Sequence, residues 1–217
     1  MSAKRVVRVR RTQAERTAET RAALVAAAIG VVHRLGYGAA TTALIADEAG
    51  ITRGAILHHF GTRAELMAEV IRSVFDQEVQ DYDALIRELR IGRRVSDWVE
   101  LCWRILSRPS GLAVLEILLA SRSDPELAAR LEPIQHEVEH NALAGVLARF
   151  PGGEETALAR MRLIVWAIRG LALGDMLTAD AGGLAPSVAL LRSWLRAAED
   201  AGVSLFAPPP QEPGKPT

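Results

Sequence analysis

The chain has 217 residues, of which 49% are hydrophobic and 24% are charged, and its 26 Lys and Arg balance its 26 Asp and Glu. This apolar content supports a folded core and excludes a disordered chain, and the absence of alternating Val, Ile or Thr predicts an all-α protein. The single Cys102 excludes an intramolecular disulfide, so we expect a reducing, cytoplasmic location.

The N-terminal part of the chain is basic. Residues 1–63 contain ten Lys or Arg and four Asp or Glu, a net charge of +6, so the remaining residues carry −6. A basic end on an acidic body is typical of a protein that meets nucleic-acid phosphates at one end. Residues 1–16 are dense in charge without apolar periodicity, which predicts a flexible basic arm and no secretory signal.

The first predicted helix follows this arm. It should end near Gly36, because glycine readily takes the left-handed conformation that follows a helix end. Its expected inward face consists of Leu24, Ala28, Val32 and Leu35.

Two very short helices come next. Thr41 and Thr42 supply a cap for a helix that ends at Gly50, and Thr52 supplies a cap for a helix that ends at Phe60. Helices this short cannot bury enough surface alone, so they should meet at a tight corner clamped by neighbouring helices. The residues expected to fill the corner are Ile45, Ala46, Ile51, Ile56 and Phe60. This arrangement predicts a helix-turn-helix over residues 42–60.

The same segments carry an ordered pattern that resembles the TetR (tetracycline repressor-like) family of regulators. The resemblance covers residues 20–66, with LGY at 35–37, Thr42, IADEAGITRG at 45–54, ILHHF at 56–60 and RAEL at 63–66. It implies a homodimeric regulator that binds double-stranded DNA and needs no cofactor. It also implies a helix-turn-helix domain over 17–63 and a helical effector-binding and dimerisation domain over 64–206.

The resemblance implies particular DNA contacts. Thr42 becomes a phosphate contact, and Thr52 meets phosphate through its hydroxyl or its backbone N–H. We expect both threonines to cap their helices. The residues that match base-facing or backbone-facing positions are Arg53, Ala55, Leu57 and His58. Of these, Arg53 has the donors to contact a guanine edge.

Two positions depart from the usual family residues. Leu57 stands where Tyr is common, so contact with a thymine methyl would replace a hydroxyl contact with the DNA backbone. Arg63 stands where Lys is common, and it retains the positive charge expected to contact a phosphate. The resemblance therefore implies DNA binding without identifying the base sequence.

Six further helices are predicted. A long one begins at Gly61-Thr62 and ends near Arg90, and the others lie near 94–107, 111–122, 124–149, 155–178 and 187–201. Residues 207–217 contain five prolines, which predicts a disordered tail. The longest apolar stretches considered, 163–168 and 171–174, are short and divided by Arg169, so no membrane-spanning helix is expected.

In the resembled family these later helices bind an effector and pair with a second subunit. Small and apolar residues share helix faces in the last two helices, which predicts a dimer interface, with burial in the chain's own core as the alternative. The interface set is Leu163, Ala167, Gly170, Leu171, Gly174, Leu191, Trp194 and Leu195.

A second set, mostly lacking polar groups, predicts a pocket for a largely apolar ligand, although each member fits a plain core as well. The pocket set is Trp98, Cys102, Trp103, Leu106, Leu115, Leu118 and Trp166.

A competing motif lies at residues 136–140, whose sequence HEVEH satisfies the H-E-x-x-H pattern of zinc hydrolases. His136 and His140 share a helix face, and Glu137 is placed to act as a general base. No histidine follows His140 to supply a third ligand, so we predict a solvated helix face, no enzyme and no metal site. The alternatives left open are a zinc hydrolase, a regulatory metal on the two histidines and a helical interaction protein without DNA binding.

The favoured hypothesis for the whole chain is a repressor that releases a palindromic operator when its ligand binds. The sequence does not distinguish activation from repression.

Overall fold

The computed structural model describes residues 12–150, 153–178 and 183–203. In this part of the chain all regular elements are helices, which confirms the predicted all-α class. They are α1 (Gln13–Ala39), α2 (Thr42–Ala49), α3 (Arg53–Phe60), α4 (Arg63–Glu88), α5 (Val95–Leu106), α6 (Pro109–Ala120), α7 (Pro125–Arg149), α8 (Glu154–Leu177) and α9 (Ala185–Asp200). Residues 1–11 of the expected arm and the tail at 207–217 lie outside the described residues.

Helix α1 is longer than the sequence pattern indicated. It begins at Gln13 because Thr12 and Glu15 form a reciprocal capping box, so the prediction that residues 12–16 belong to a flexible arm is wrong. Gly36, with φ 77° and ψ 161°, breaks the helical conformation where the end was predicted. Leu35 was expected to face inward but is 52% exposed, because it adjoins Gly36, where the helical periodicity ends.

One hydrophobic core joins the short helices to the body of the protein. Helix α1 packs against α2, α4 and α6. Residues from six of the helices meet in this core, among them Leu24, Val32, Ile45, Ile56, Phe60, Met67, Ile71, Ile117 and Leu127. The predicted domain boundary at residues 63 and 64 falls at the start of α4, but the core continues across it. Movement of α6 or α7 can therefore reach the helix-turn-helix through direct packing.

A second core lies between α5, α8 and α9. Its buried members include Val99, Leu101, Ile105, Ile168 and Val188. This core supports the outer surfaces of α8 and α9, which are described below.

Among the described residues, α1 is long and apolar enough by composition to cross a membrane. The sequence prediction considered only later stretches and overlooked this helix. Six of its residues, at positions 24, 25, 27, 28, 31 and 32, are buried against other helices. That one-sided burial is the pattern of a core helix in a folded domain.

Candidate nucleic-acid interface and regulatory surfaces

The corner between α2 and α3 forms as the sequence predicted. Gly50 has φ 65°, a left-handed conformation that side-chain-bearing residues rarely adopt, and its N–H donates to the carbonyls of Ala46 and Asp47. The Ile51 N–H also donates to the Ala46 carbonyl, at 2.9 Å. These bonds turn the chain sharply and allow α3 to leave at an angle to α2.

Of the two threonines expected to cap their helices, Thr52 occupies the N-cap position and Thr42 does not. Thr41 caps α2, since its hydroxyl accepts from the Leu44 N–H at 3.3 Å, and Thr42 is the first residue of the helix. Thr52 occupies the N-cap position of α3, but its side chain makes no capping hydrogen bond within the described residues. The Thr52 side chain is exposed at the start of α3, where a phosphate would meet the positive end of the helix.

Helix α3 has one buried face and one open face. Ile56 and Phe60 are each 1% exposed, as predicted. On the open side Leu57 is 62% exposed, Ala55 is half-buried, and the remaining outward residues are Arg53 and His58. A cation, an imidazole and an apolar side chain thus share the surface expected to enter the major groove.

Arg21 holds the end of α3 in place. Its guanidinium lies 4.2 Å from the centre of the Phe60 ring and donates to the His59 carbonyl at 2.7 Å. It also pairs with Glu69 of α4 at 3.2 Å. Sequence reasoning counted Arg21 only as a positive charge, because nothing in the local sequence indicates a contact with a carbonyl 38 residues away.

Arg63 is turned inward, in disagreement with its expected phosphate contact. Its Nε donates to the Ala40 carbonyl at 3.1 Å, its Nη2 donates to the Tyr37 carbonyl, and its guanidinium stacks 4.0 Å from the centre of the Tyr37 ring. Both carbonyls lie at the end of α1, beyond the break at Gly36, and the Tyr37 carbonyl also accepts from the Ala40 N–H at 3.2 Å. The planar fork of the guanidinium reaches both of them. Arg63 therefore fastens the start of α4 to the junction of α1 and α2.

A polar network links this junction to α6 and α7. The Tyr37 hydroxyl donates to Asp124 at 3.1 Å, and the Tyr37 N–H donates to Glu116 of α6 at 3.3 Å. Burial raises the pKa of Tyr37, whereas a backbone N–H donor at the start of α7 lowers the pKa of Asp124. The Thr62 hydroxyl also donates to Glu126 at 2.8 Å. The helix-turn-helix is thus joined to the body by packing and by hydrogen bonds.

The HEVEH motif lies on an open face of α7. His136, Glu137 and His140 are all exposed. Glu137 pairs with Arg72 at 3.5 Å, and Glu139 pairs with Arg162 at 2.6 Å. In the part of the chain that the structure describes, no group of three or more His, Cys, Asp or Glu could hold a metal ion. Among those residues, the two histidines of the motif are not joined by the third protein ligand that a catalytic zinc site needs.

The residues predicted to line a ligand pocket are spread over two hydrophobic cores and the surface. Cys102 and Leu106 are buried in the second core, with Trp98 and Trp103 packed against it, and Leu118 packs against the first core. Leu115 is also buried. The assignment of Trp166 is wrong, because it is 55% exposed on the outside of α8. Aromatic and aliphatic side chains of a pocket and of a core have the same sequence pattern, which explains the error.

Cavities in the described part of the chain include two that lie between helices. One of about 450 Å³ lies between α5 and α9 and includes Trp103 and Arg196 in its lining. Another of about 180 Å³ lies between α1, α4, α5 and α6 and includes Glu78. Glu78 is only 8% exposed, and burial raises its pKa from 4.5 to about 7.

Helices α8 and α9 expose large apolar side chains. The five most exposed, called here the α8–α9 apolar residues, are Leu163, Trp166, Leu177, Leu190 and Trp194. Two of them, Leu163 and Trp194, belong to the predicted interface, and both are more than 60% exposed. Sequence reasoning left Leu177 out of that interface and placed Trp166 in the pocket.

Other members of the predicted interface face their own chain. The set that packs at least partly against the second core is Leu171, Leu191 and Leu195. A Cβ at Gly174 would lie 2.6 Å from the Leu184 side chain, so this glycine packs closely against its own chain, whereas the prediction placed it against a second subunit. A Cβ at the exposed Gly170 would meet no described atom within 4 Å, and Ala167 is half-buried. Gly170 therefore replaces Gly174 as the open glycine of α8.

Comparison with known proteins identifies the family. The model of the family described as "Bacterial regulatory proteins, tetR family" matches residues 24–70, which span most of α1, the helix-turn-helix and the start of α4. The HTH-type transcriptional regulator CymR of Pseudomonas putida is 32% identical over 182 residues, covering 79% of this chain and 86% of CymR. The chain belongs to the TetR family. It is therefore a DNA-binding transcriptional regulator and not an enzyme.

Other TetR-family similarities are local or confined to the fold. The HTH-type transcriptional regulator TtgR, also of Pseudomonas putida, is 43% identical over 68 residues, covering 31% of this chain and 32% of TtgR. A solved transcriptional regulator structure from Pseudomonas aeruginosa has a TM-score of 0.63 and 23% identity, covering 94% of this chain and 100% of that chain. The likeness in fold extends over the helical body, whereas the strongest local identity is confined to a shorter segment.

Proposed function

We propose that this TetR-family regulator is a cytoplasmic homodimeric repressor that releases a palindromic operator when a small ligand binds its helical body. The observation that carries the proposal is the exposure of the α8–α9 apolar residues on a chain that also exposes a recognition helix. Exposed apolar surface of this kind marks an association site. A DNA-binding domain with one short recognition helix gains affinity when a second, symmetry-related domain binds the same DNA.

The DNA contacts follow from the open face of α3. Arg53 donates to a guanine edge, Leu57 contacts a thymine methyl, and His58 contacts a base or the backbone. Ala55 allows α3 to approach the groove closely. Thr42 and Thr52 meet phosphates at the starts of α2 and α3. The Arg21 contacts with His59 and Phe60 support these proposed DNA contacts, because they fix the orientation of α3.

The dimer forms through α8 and α9 around a two-fold axis, so each apolar residue is used twice. Trp166 and Trp194 supply the largest exposed rings, and Gly170 permits close approach of α8. Residues 17–63 act as the reading domain, and residues 64–206 act as the regulatory and dimerisation domain.

Ligand binding acts by favouring a dimer in which the two reading domains have the wrong separation for successive major grooves. The contacts that support this coupling are those of Tyr37 with Glu116 and Asp124 and of Thr62 with Glu126. A shift of α6 or α7 would change the position of α1 and α4 through these bonds.

The test is sedimentation and operator binding of Trp194→Glu, with Leu119→Glu as the control. Leu119 is 48% exposed on α6, so the control introduces the same charge at another exposed apolar position. We expect a dimeric wild type, a monomeric Trp194→Glu with weak operator binding, and a control like the wild type. A Trp194→Glu protein that stays dimeric and binds operator tightly would place the interface elsewhere, and a monomeric wild type would overturn the homodimer.

A further inference from the structure

The cavity beside Glu78 lies where the helix-turn-helix joins the body. Its volume is about 180 Å³, and its apolar wall includes Ile29 of α1 and Ile105 of α5. Ser73 and Glu78 of α4 and Ser110 of α6 contribute polar groups. Ordinary ligand pockets measure roughly 300 to 1,000 Å³, so an occupant of this cavity must be small. None of the residues predicted from sequence to bind the effector lines it.

Glu78 is an unusual residue for such a wall. It is more than nine-tenths buried, and within the described residues its Oε1 has no hydrogen-bond partner. Burial is the largest cause of its raised pKa, which the attraction of Arg169 and Arg108 only partly offsets. An unpartnered buried carboxylate destabilises the fold, whereas a donor brought by a ligand would satisfy it.

The charge of the lining favours a cationic occupant. Asp81 accepts from Gln77 at 3.0 Å and pairs with Arg108, so the charges of Asp81 and Arg108 compensate each other. Glu78 is then an ionisable lining group with one oxygen, Oε1, that has no hydrogen-bond partner among the described residues. Arg169 attracts it electrostatically, but the Arg169 Nη1 donates to the Gly111 carbonyl at 3.5 Å. An anionic ligand would meet an unsatisfied acceptor here, whereas an ammonium group would supply the missing donor.

We propose that this cavity binds a small protonated organic amine, whose ammonium donates to Glu78 and whose short apolar chain packs against Ile29 and Ile105. The hydroxyls of Ser73 and Ser110 provide further acceptors for the ammonium protons. The inference rests on the ligand-responsive repression proposed above, and it makes the effector a cation in place of the largely apolar ligand expected from sequence.

The location couples the amine to the reading domain. Ile29 lies on α1 between Arg21, which holds α3, and Tyr37, which bonds to Glu116 of α6. Ser110 lies at the start of α6. An occupant that separates α1 from α6 would therefore disturb the helix on which α3 is fastened.

The experiment titrates the full chain with n-butylamine by calorimetry and thermal unfolding at pH 7, with 1-butanol and butyrate as controls of similar size. We expect saturable binding of the amine at least tenfold tighter than that of either control. Glu78→Gln, which is nearly isosteric, should weaken amine binding at least tenfold. Asp76→Asn, an equivalent change at an exposed position of the same helix, should leave it unchanged.

Proton release provides a second readout. The ionisable groups that act on Glu78 are Asp81, Arg108 and Arg169. Glu78 in turn acts on Tyr82 and Cys102. The pKa of Asp81 is lowered, that of Tyr82 is raised well above its usual value, and that of Cys102 is raised to about 11. Glu78 is thus the member of this cluster that titrates near pH 7, and an ammonium partner should lower its pKa. Amine binding should release protons in the wild type but not in Glu78→Gln.

The proposal would be overturned by an amine that binds no better than its alcohol, or by equal binding of the amine to Glu78→Gln. Far-UV circular dichroism establishes that each variant is folded. Operator binding without amine is measured on the same preparation. Intact operator binding that is not released by amine contradicts only this inference, whereas failure to bind any operator contradicts the proposed function.

Discussion

Arg63 fastens α4 to the junction of α1 and α2, and its replacement tests how the reading domain is held. Arg63→Ala removes two hydrogen bonds to carbonyls and a stacking contact 4.0 Å from the Tyr37 ring centre. Charged hydrogen bonds contribute about 1.5 to 3 kcal/mol each, and exposed cation–π contacts about 0.5 to 1 kcal/mol. Because Arg63 is only half-buried, we expect a total loss of about 2 to 4 kcal/mol, which lowers the melting temperature by roughly 5 to 15 °C.

The assay combines thermal unfolding with operator binding over a range of salt concentrations. Loss of one phosphate contact lowers the slope of log K against log salt by about 0.9. The inward position of Arg63 predicts an unchanged slope with weaker binding at every salt concentration. Arg63→Lys is the control, because it keeps the charge but loses the planar fork of donors. It should lose stability much as Arg63→Ala does.

The opposite pattern would refute this assignment. An Arg63→Ala protein with the wild-type melting temperature and a slope reduced by about 0.9 would make Arg63 a phosphate contact. Wild-type operator binding by Arg63→Lys would support the same conclusion.

Three further changes test other parts of the structure. Gly170→Leu should raise the monomer fraction in sedimentation, whereas Gly174→Leu should mainly lower thermal stability; identical behaviour would contradict this. The contribution of Glu78 to the free energy of unfolding is fully present below pH 4.5, where the carboxyl is protonated in both states, and is lost as the pH rises through about 7. Glu78→Gln should therefore raise the free energy of unfolding by up to about 3 kcal/mol at pH 8 and by far less at pH 5. A difference between variant and wild type that does not change with pH would contradict this. Replacing His136 and His140 by Ala should remove no zinc-dependent peptidase activity; cleavage lost in that variant would contradict the assignment.

The helix boundaries that could be predicted are those set by nearby Gly, Pro and capping residues. Gly50 and Gly61 end short helices at the expected positions, because each takes a positive φ that other residues avoid. The later helices begin and end within a few residues of prediction, because Pro and Gly separate them. The capping box of Thr12 and Glu15 was also readable, but the density of charge around it favoured a flexible arm.

Long-range packing determined what could not be predicted. Arg21 and Arg63 have long flexible side chains, whose partners depend on how α1, α3 and α4 meet. Trp98 and Trp166 are alike in sequence terms, yet Trp98 packs against Phe150 whereas Trp166 is exposed. Helical periodicity predicts on which face of its helix a residue lies, but not which neighbouring helix covers that face.

Selection of bound duplexes from a random pool tests the central claim most directly. A two-fold dimer that reads DNA through α3 should enrich an inverted repeat, with half-sites about 34 to 36 Å apart or a multiple of that distance. Arg53→Ala, selected in parallel, should relax the preference at one position in each half-site. A pool without any enriched sequence, or an asymmetric site bound by a single chain, would contradict a dimeric operator-binding regulator.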